Sequence, residues 1–449
     1  MNTWLLNLFD RLRNSLWFVP AMGLAIALIA SIGLLNIDEA VRVETIPGLS
    51  WATTTGPAAR ATLSSLAGAL VTVTGVVFSI TMLTLAQTSA MYGSRLLRSF
   101  LNHNITQVTL ATFLGTSLYC FAILRAIREV DEGTLFVPHL SVGVGMLAGL
   151  GSLTAFVYFI HHVAQSIQAQ SVVRNVAHEL DDAIDRLFPE RMGDSCDETP
   201  DDLIPDEGQD RTVIESTQMG YLQAIDGDTL MELAEEQNLL VRLLVQPGDF
   251  IAHGTPIISV DSTEVDEERS EEMNECFLTG SRRTPRQDVE CALNELVEVA
   301  VRALSPGIND PHTAIACIDY LGAALMRLAE RRMPSPLRYD DEKRLRIIAR
   351  PVTFSAALNA AFDEIRQHGR ESTAVTIRLA ETLRAIAEKV TRPSDRDAIL
   401  RQTAMLERSC EDALPEQYDR ADVRERLREI HDILDHKTES DDAHGSKDT

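Results

Sequence analysis

The apolar and polar positions follow two different patterns along the chain. Ser15–Leu35 carries no charge, Arg60 and Arg95 bracket 34 uncharged residues, and Arg98 and Arg125 bracket another 26. Glu132 and Arg174 bracket the last such stretch, whose apolar heart is Pro138–Ile160. A bilayer core takes about 20 apolar residues per helix. The pattern therefore predicts four transmembrane helices, at about 15–36, 62–90, 104–125 and 138–162, in a transmembrane domain spanning 1–164. The first apolar run is too long for a secretory signal, and no small-residue cleavage site follows it.

Beyond residue 164 the apolar positions become periodic. Val172, Val176, Leu180, Ile184 and Leu187 fall on one helical face, which predicts an amphipathic stalk helix over 165–192. An acidic linker over 193–211 has too little apolar content to build a core. Short apolar runs at Val213–Ile214, Tyr221–Ile225, Leu239–Val245 and Pro256–Val260, with a helical insert at Asp228–Glu236, predict a small β module over 212–262. Residues 263–436 read as an α-helical domain, and 437–449 as a disordered polar tail. The fold class is mainly α: a four-helix transmembrane domain, a small β module and a cytoplasmic α-helical bundle.

Helix start signals are legible in the last part. Thr284-Pro285-Arg286-Gln287 has the form of a capping box with Pro at the first helical position. Val289, Leu293, Leu296, Ala300 and Leu304 follow at helical spacing. Pro306 and Gly307 stop that helix, and Asn309-Asp310-Pro311 starts the next, with Asp310 as cap. Further amphipathic helices are expected at about 341–367, 371–391, 395–413 and 419–436.

Charge divides the chain at the same place. Residues 1–170 hold eight Arg and seven acidic residues, a formal charge of +1; the rest holds 33 basic and 59 acidic residues, or −26. This excludes a general nucleic-acid binder, which needs a basic face to meet phosphates. The six cysteines are too dispersed for a zinc site or a CxxC pair and read as free thiols of a reducing compartment. Arg11, Arg13, Arg95, Arg98 and Arg174 flank one side of the membrane, against Arg42, Arg60, Arg125 and Arg128 on the other. The excess, with the free thiols, places both termini in the cytoplasm.

The second transmembrane helix carries two polar faces. Ser64, Gly68, Thr72, Gly75 and Ser79 lie on one, Thr74, Thr81 and Thr88 on another, and Gln87 sits near the end. Small residues serve close helix packing in lipid. A second polar face fits a helix that lines a water-filled path, so Thr72, Thr74, Gly75, Ser79, Thr81 and Gln87 are candidate pore-lining residues. No Asp, Glu, Lys or Arg falls in the interior of the four predicted spans, Arg125 closing the third, which argues against a proton-coupled pump. Arg282, Arg283 and Arg286 cluster at a helix start and are candidates for binding an anion, or for pairing with the abundant carboxylates.

Two resemblances follow from longer phrases. Pro247-Gly248-Asp249-Phe250-Ile251-Ala252-His253-Gly254-Thr255-Pro256-Ile257 resembles the turn of biotinyl/lipoyl-like barrel-sandwich domains. The carrier lysine has no counterpart, since residues 171–342 contain no Lys, so a structural module is implied. Gly75-Val76-Val77-Phe78-Ser79-Ile80-Thr81 and Ser94-Arg95-Leu96-Leu97-Arg98, with Ala303-Leu304-Ser305-Pro306-Gly307-Ile308-Asn309-Asp310-Pro311, are similar to the bacterial predicted membrane proteins called domain of unknown function 2254. That resemblance covers about 10–435. It implies an inner-membrane protein and supplies no activity, substrate or catalytic residue.

Three function classes remain. One is an oligomeric channel or channel-like transporter for small ions, with a cytoplasmic assembly or gating domain. Another is a non-transporting sensor or scaffold whose cytoplasmic domain binds an anionic ligand or a protein partner. An enzyme ranks last, because no GxSxG, HExxH, P-loop or Cys/His cluster is present and Asp310 beside His312 suits a helix cap. The reading assigns no catalytic residue, metal or cofactor; the expected partners are the lipid bilayer and further copies of the chain.

Overall fold

The computed structural model describes residues 17–40, 55–92, 104–131, 134–166, 169–188, 211–262, 265–350 and 352–445. They divide into two compact units, Met1–Ser171 and Val172–Thr449.

The first unit holds four helices long and apolar enough to cross a membrane: α1 (Phe18–Ala40), α2 (Gly56–Tyr92), α3 (Asn104–Ala126) and α4 (His139–Ser166). A short hairpin, β1 (Arg128–Asp131) with β2 (Thr134–Phe136), joins α3 to α4. The most apolar window of α3 has a mean hydropathy of 1.5, the lowest of the four, yet 56% of it is buried against 17% for α1. It is the central helix: α1, α2 and α4 all pack on it. Several of its polar residues are interior, among them Gln107, Thr109, Thr116 and Ser117. Ser117 Oγ donates to the Ala67 carbonyl of α2 at 3.3 Å, and Ser152 Oγ of α4 donates to Thr116 Oγ1 at 3.2 Å. In lipid, such bonds and close backbone approach hold helices together. Gly23 supplies that approach: a Cβ there would lie 2.8 Å from Ala111 Cβ.

In the second unit, α5 (Ala169–Leu187) buries Val172, Val176, Leu180 and Ile184, the face expected of the stalk; Phe188 extends this face, whereas Leu187 is half-buried. The expected acidic linker lies outside the described residues, apart from Arg211. Next come β3 (Thr212–Glu215), β4 (Gly220–Ile225), α6 (Gly227–Glu236), β5 (Val241–Leu243), β6 (Phe250–Ile251), β7 (Pro256–Val260), α7 (Glu267–Glu275) and β8 (Phe277–Gly280). The helical part holds α8 (Val289–Ala303), α9 (Pro311–Glu330), α10 (Phe354–Gly369), α11 (Thr373–Ala387), α12 (Pro393–Ala413) and α13 (Gln417–Gly445), with β9 (Leu337–Tyr339) and β10 (Leu345–Ile348) inserted after α9.

The strands form a five-stranded sheet, β3-β7-β5-β10-β9, and a three-stranded sheet, β6-β4-β8. One apolar core serves both, with Leu222, Ile251 and Phe277 from the smaller sheet and Val241, Ile258 and Ile347 from the larger.

Four expectations are corrected here. The β module does not end at 262, and a single helix does not run over 341–367. Leu345–Ile348 forms β10, parallel to β5, and Leu337–Tyr339 is its antiparallel partner. Thr353 then caps α10, its hydroxyl accepting from Ala356 N at 3.1 Å. The supposed capping box at Thr284 does not start a helix. Asp288 caps α8, accepting from Cys291 N at 2.9 Å, while the Gln287 side chain pairs with both backbone groups of Ile225 (2.9 and 3.1 Å). The tail is helical through Gly445, and Lys437 Nζ anchors it to the Glu388 and Val390 carbonyls, each at 2.8 Å.

Candidate functional site

The two polar faces of α2 have different surroundings. Thr74 and Thr81 sit on the side that packs within the unit, together with buried Leu63, Ala67, Leu70, Val77, Thr84 and Thr88. Ser64, Gly68, Thr72, Gly75 and Ser79 are all exposed on the opposite side. Gln87 is exposed as well. Of the candidate pore-lining residues, then, Thr72, Gly75, Ser79 and Gln87 face outward, and Thr74 and Thr81 belong to the packed side.

Hydroxyls on both faces bond back along the helix. Thr72 Oγ1 donates to the Gly68 carbonyl at 3.0 Å and Ser79 Oγ to that of Gly75 at 2.9 Å; Thr74 and Thr81 donate to Leu70 and Val77 at 2.6 and 2.8 Å. A hydroxyl that has donated still has lone pairs to offer. On the outward face those lone pairs lie along a strip of small residues flanked by exposed Val71, Val76, Phe78 and Leu83.

The glycines make the same distinction. A Cβ on Gly149 of α4 would lie 2.7 Å from Leu66 Cδ1, and one on Gly145 3.2 Å from Leu63 Cδ2. These glycines pay for themselves inside the unit. Around Gly68 and Gly75 of α2 an added Cβ would meet nothing within 4 Å.

One residue of this unit went unrecognised in the sequence. Asp38, 8% exposed, lies near the end of α1 and accepts from Leu140 N (3.0 Å), Ser141 N (2.9 Å) and Ser141 Oγ (2.6 Å) at the start of α4. It caps a helix remote in sequence. The first span was expected to stop at 36; the helix runs through Ala40 and brings this carboxylate with it.

In the second unit the three candidate arginines separate. Arg283 pairs bidentately with Asp288 (Nε–Oδ2 2.7 Å, Nη2–Oδ1 2.9 Å) and reaches Glu290 at 3.5 Å. The Asp288 hydrogen bond, against opposing desolvation, raises its pKa further. Gly248, with φ +103°, lies against the pair, where a Cβ would be 2.5 Å from Asp288 Oδ2. Arg283 is therefore committed to carboxylates and unavailable to an outside anion. Arg282 is half-buried and Arg286 exposed.

The turn between α8 and α9 is explained by geometry. Pro306, Gly307 and Asn309 are exposed, and Asn309 adopts φ +49°, a left-handed conformation that Asn tolerates. Asp310 accepts from Thr313 N at 3.1 Å and Thr313 Oγ1 at 2.6 Å, with Pro311 in the first turn. The Thr313 hydroxyl bond leads the effects that hold the Asp310 carboxyl below its ordinary range. Asp310 works as a cap.

Among the described residues no group of His, Cys, Asp and Glu could hold a metal. The five described cysteines are buried and none forms a disulfide, and burial pushes the Cys317 thiol up to about 12. A charged cleft of about 550 Å³ between α11 and α13 is lined by Arg378, Arg384 and Arg426, each paired with acidic neighbours such as Asp319, Glu429 and Glu381. It reads as an ion-pair ladder between two helices.

Comparison with known proteins agrees with this picture. No solved structure matches the chain. Uncharacterized proteins of Mycobacterium bovis and Mycobacterium tuberculosis are each 31% identical over 424 residues, covering 93% of this chain and 80% of the relative. The family described as Predicted membrane protein (DUF2254) matches residues 13–385, and the chain belongs to that family.

Proposed function

We propose that the chain assembles into an oligomeric channel or channel-like transporter of the bacterial inner membrane, in which the outward face of α2 lines the path. One observation carries this: Gly68, Thr72, Gly75 and Ser79 form a small, hydroxyl-bearing surface that the protomer leaves unused, whereas Gly145 and Gly149 of α4 and the Thr116, Ser117 and Ser152 hydroxyls are packed within it. A path lined by hydroxyls and backbone offers hydrogen bonds to a partly hydrated ion without needing a charged residue.

In this reading the termini and the second unit are cytoplasmic. That unit, a helical bundle around a barrel-sandwich-like β module, assembles and gates the pore and has no enzymatic role. Its charge of −26 would concentrate cations at the mouth and favour cation passage. The alternative of a sensor for an anionic ligand loses support from Arg283, which Asp288 and Glu290 already occupy.

Reconstitution tests the reading. Purified protein in planar bilayers or osmotically stressed liposomes is expected to pass cations under voltage or tension. No current and no solute flux under either stimulus would sink it.

A further inference from the structure

The outer face of the β6-β4-β8 sheet is apolar and left uncovered by the described residues of the second unit. Tyr221 pairs with Phe250 across β4 and β6, and their rings meet edge to face at 5.2 Å. Phe250 is 58% exposed, Leu278 of β8 47%, and Met219 beside β4 65%. None of the three strands contains an acidic residue, although the unit around them is strongly acidic.

Arginines stand at one end of this face. The Gln223 side chain of β4 donates to the Arg282 carbonyl at 2.8 Å, and Gln287, next to Arg286, holds the backbone of Ile225. Nearby carboxylates are already engaged: Asp288 and Glu290 by Arg283, and Asp249 by Arg350 at 3.2 Å. The Arg282 and Arg286 guanidiniums have no carboxylate partner among the described residues. At the other end of β8 lies α7, where Glu267, Glu268, Glu271, Glu272 and Glu275 are exposed beside a single basic residue, Arg269. The module is thus basic and apolar beyond one end of β8 and acidic before the other.

We propose that this apolar, arginine-edged face docks α7 of a second copy of the chain, head to tail. The aliphatic stems of the partner's α7 glutamates and Arg269 lie over Phe250, Tyr221 and Leu278, and Arg282 and Arg286 take the glutamate carboxylates at the rim. Such a contact joins two different patches, and heterologous contacts close into rings when the rotation permits. The proposal rests on the oligomeric part of the reading above and is independent of conduction.

The test measures the mass of full-length protein in nanodiscs of neutral phosphatidylcholine, with and without phosphatidylglycerol. Arg282→Glu with Arg286→Glu is expected to weaken self-association about tenfold or more, like-charge contacts across an interface being costly. Glu271→Arg with Glu272→Arg is expected to do the same, and combining both pairs to restore assembly. Should the double arginine variant fail to fold, exposed Arg286→Glu alone, paired with Glu272→Arg, carries the same comparison. Wild-type assembly in every variant overturns this contact and leaves the oligomeric reading standing. A single-copy wild type overturns both. Loss of assembly confined to nanodiscs containing phosphatidylglycerol assigns the guanidiniums to lipid headgroups and overturns the docking.

Discussion

Asp38 caps α4 from the end of α1, accepting from the backbone N–H groups of Leu140 and Ser141 at 3.0 and 2.9 Å. The first turn of a helix leaves N–H groups without intrahelical partners, and a carboxylate also suits the positive end of the helix dipole. Asp38→Ala is therefore expected to destabilise the membrane unit by about 0.5–2 kcal/mol, the usual range for a lost cap. Asp38→Asn keeps an acceptor oxygen and is expected to cost less. Thermal unfolding in detergent measures both; equal midpoints for Asp38→Ala and wild type would refute the capping role.

A second prediction concerns the corner where the β9–β10 hairpin meets the strand-rich core. Arg346 is 4% exposed and donates to Asp340 Oδ2 at 2.8 Å and to Asn238 Oδ1 at 2.8 Å. Desolvation raises the Asp340 pKa, but the Arg344 N–H and the Arg346 and Arg344 guanidiniums outweigh it and hold the carboxyl at about 2. A carboxyl depressed on folding stabilises the native state above its unfolded pKa of about 3.9. That contribution is lost as pH falls through about 2. Acid unfolding of the wild type is expected to steepen between these values, and Asp340→Asn to remove the extra dependence while lowering stability at neutral pH. An unchanged acid limb in the variant would contradict the assignment.

Close packing of α9 on α11 gives a third. A Cβ on Gly322 would lie 2.3 Å from Thr382 Cγ2. Thr382 is buried and β-branched, so its methyl has little freedom to yield. Gly322→Ala is expected to cost about 1–3 kcal/mol through overpacking. Thr382→Ser removes the obstructing methyl, so the double variant is expected to recover part of that loss. Urea unfolding of the four proteins forms the cycle, and additive effects would show that the two sites do not meet.

The legible parts of the sequence were those where one periodic signal met no competitor. The four apolar stretches needed only length, and the strand Pro256–Val260 only its apolar run between turns. What stayed hidden depends on partners far along the chain. Asp38 is an ordinary polar residue after an apolar run until α4 is placed against it. Leu345–Ile348 becomes a strand because β5 offers an edge a hundred residues earlier, with Arg346 satisfied by Asp340 and Asn238. The capping box expected at Thr284 gives way to Asp288, because Gln287, its reciprocal partner, bonds instead to Ile225 of β4, far away in sequence. On α2 the periodicity separated two polar faces, but only packing distinguishes the one turned toward α3 from the one turned away.

That distinction yields the last prediction. If the outward face of α2 lines a path, bulk added at Gly75 or Ser79 must narrow it, whereas changes on the packed side must act through stability. Gly75→Leu and Ser79→Leu are accommodated by the protomer, since a Cβ at Gly75 meets nothing within 4 Å and Ser79 is exposed. In proteoliposomes each is expected to cut cation flux about tenfold or more, equivalent to roughly 1.4 kcal/mol on the limiting barrier. Thr74→Val and Thr81→Val keep the side-chain shape and remove a hydroxyl whose donor was spent on Leu70 or Val77. They are expected to leave flux within about twofold, with a stability change of about 1 kcal/mol or less for one hydrogen bond. The opposite ranking, with flux sensitive to Thr74 and Thr81 and indifferent to Gly75 and Ser79, would move the path inside the four-helix unit. Indifference at all four positions, in protein that conducts, would remove α2 from the path altogether.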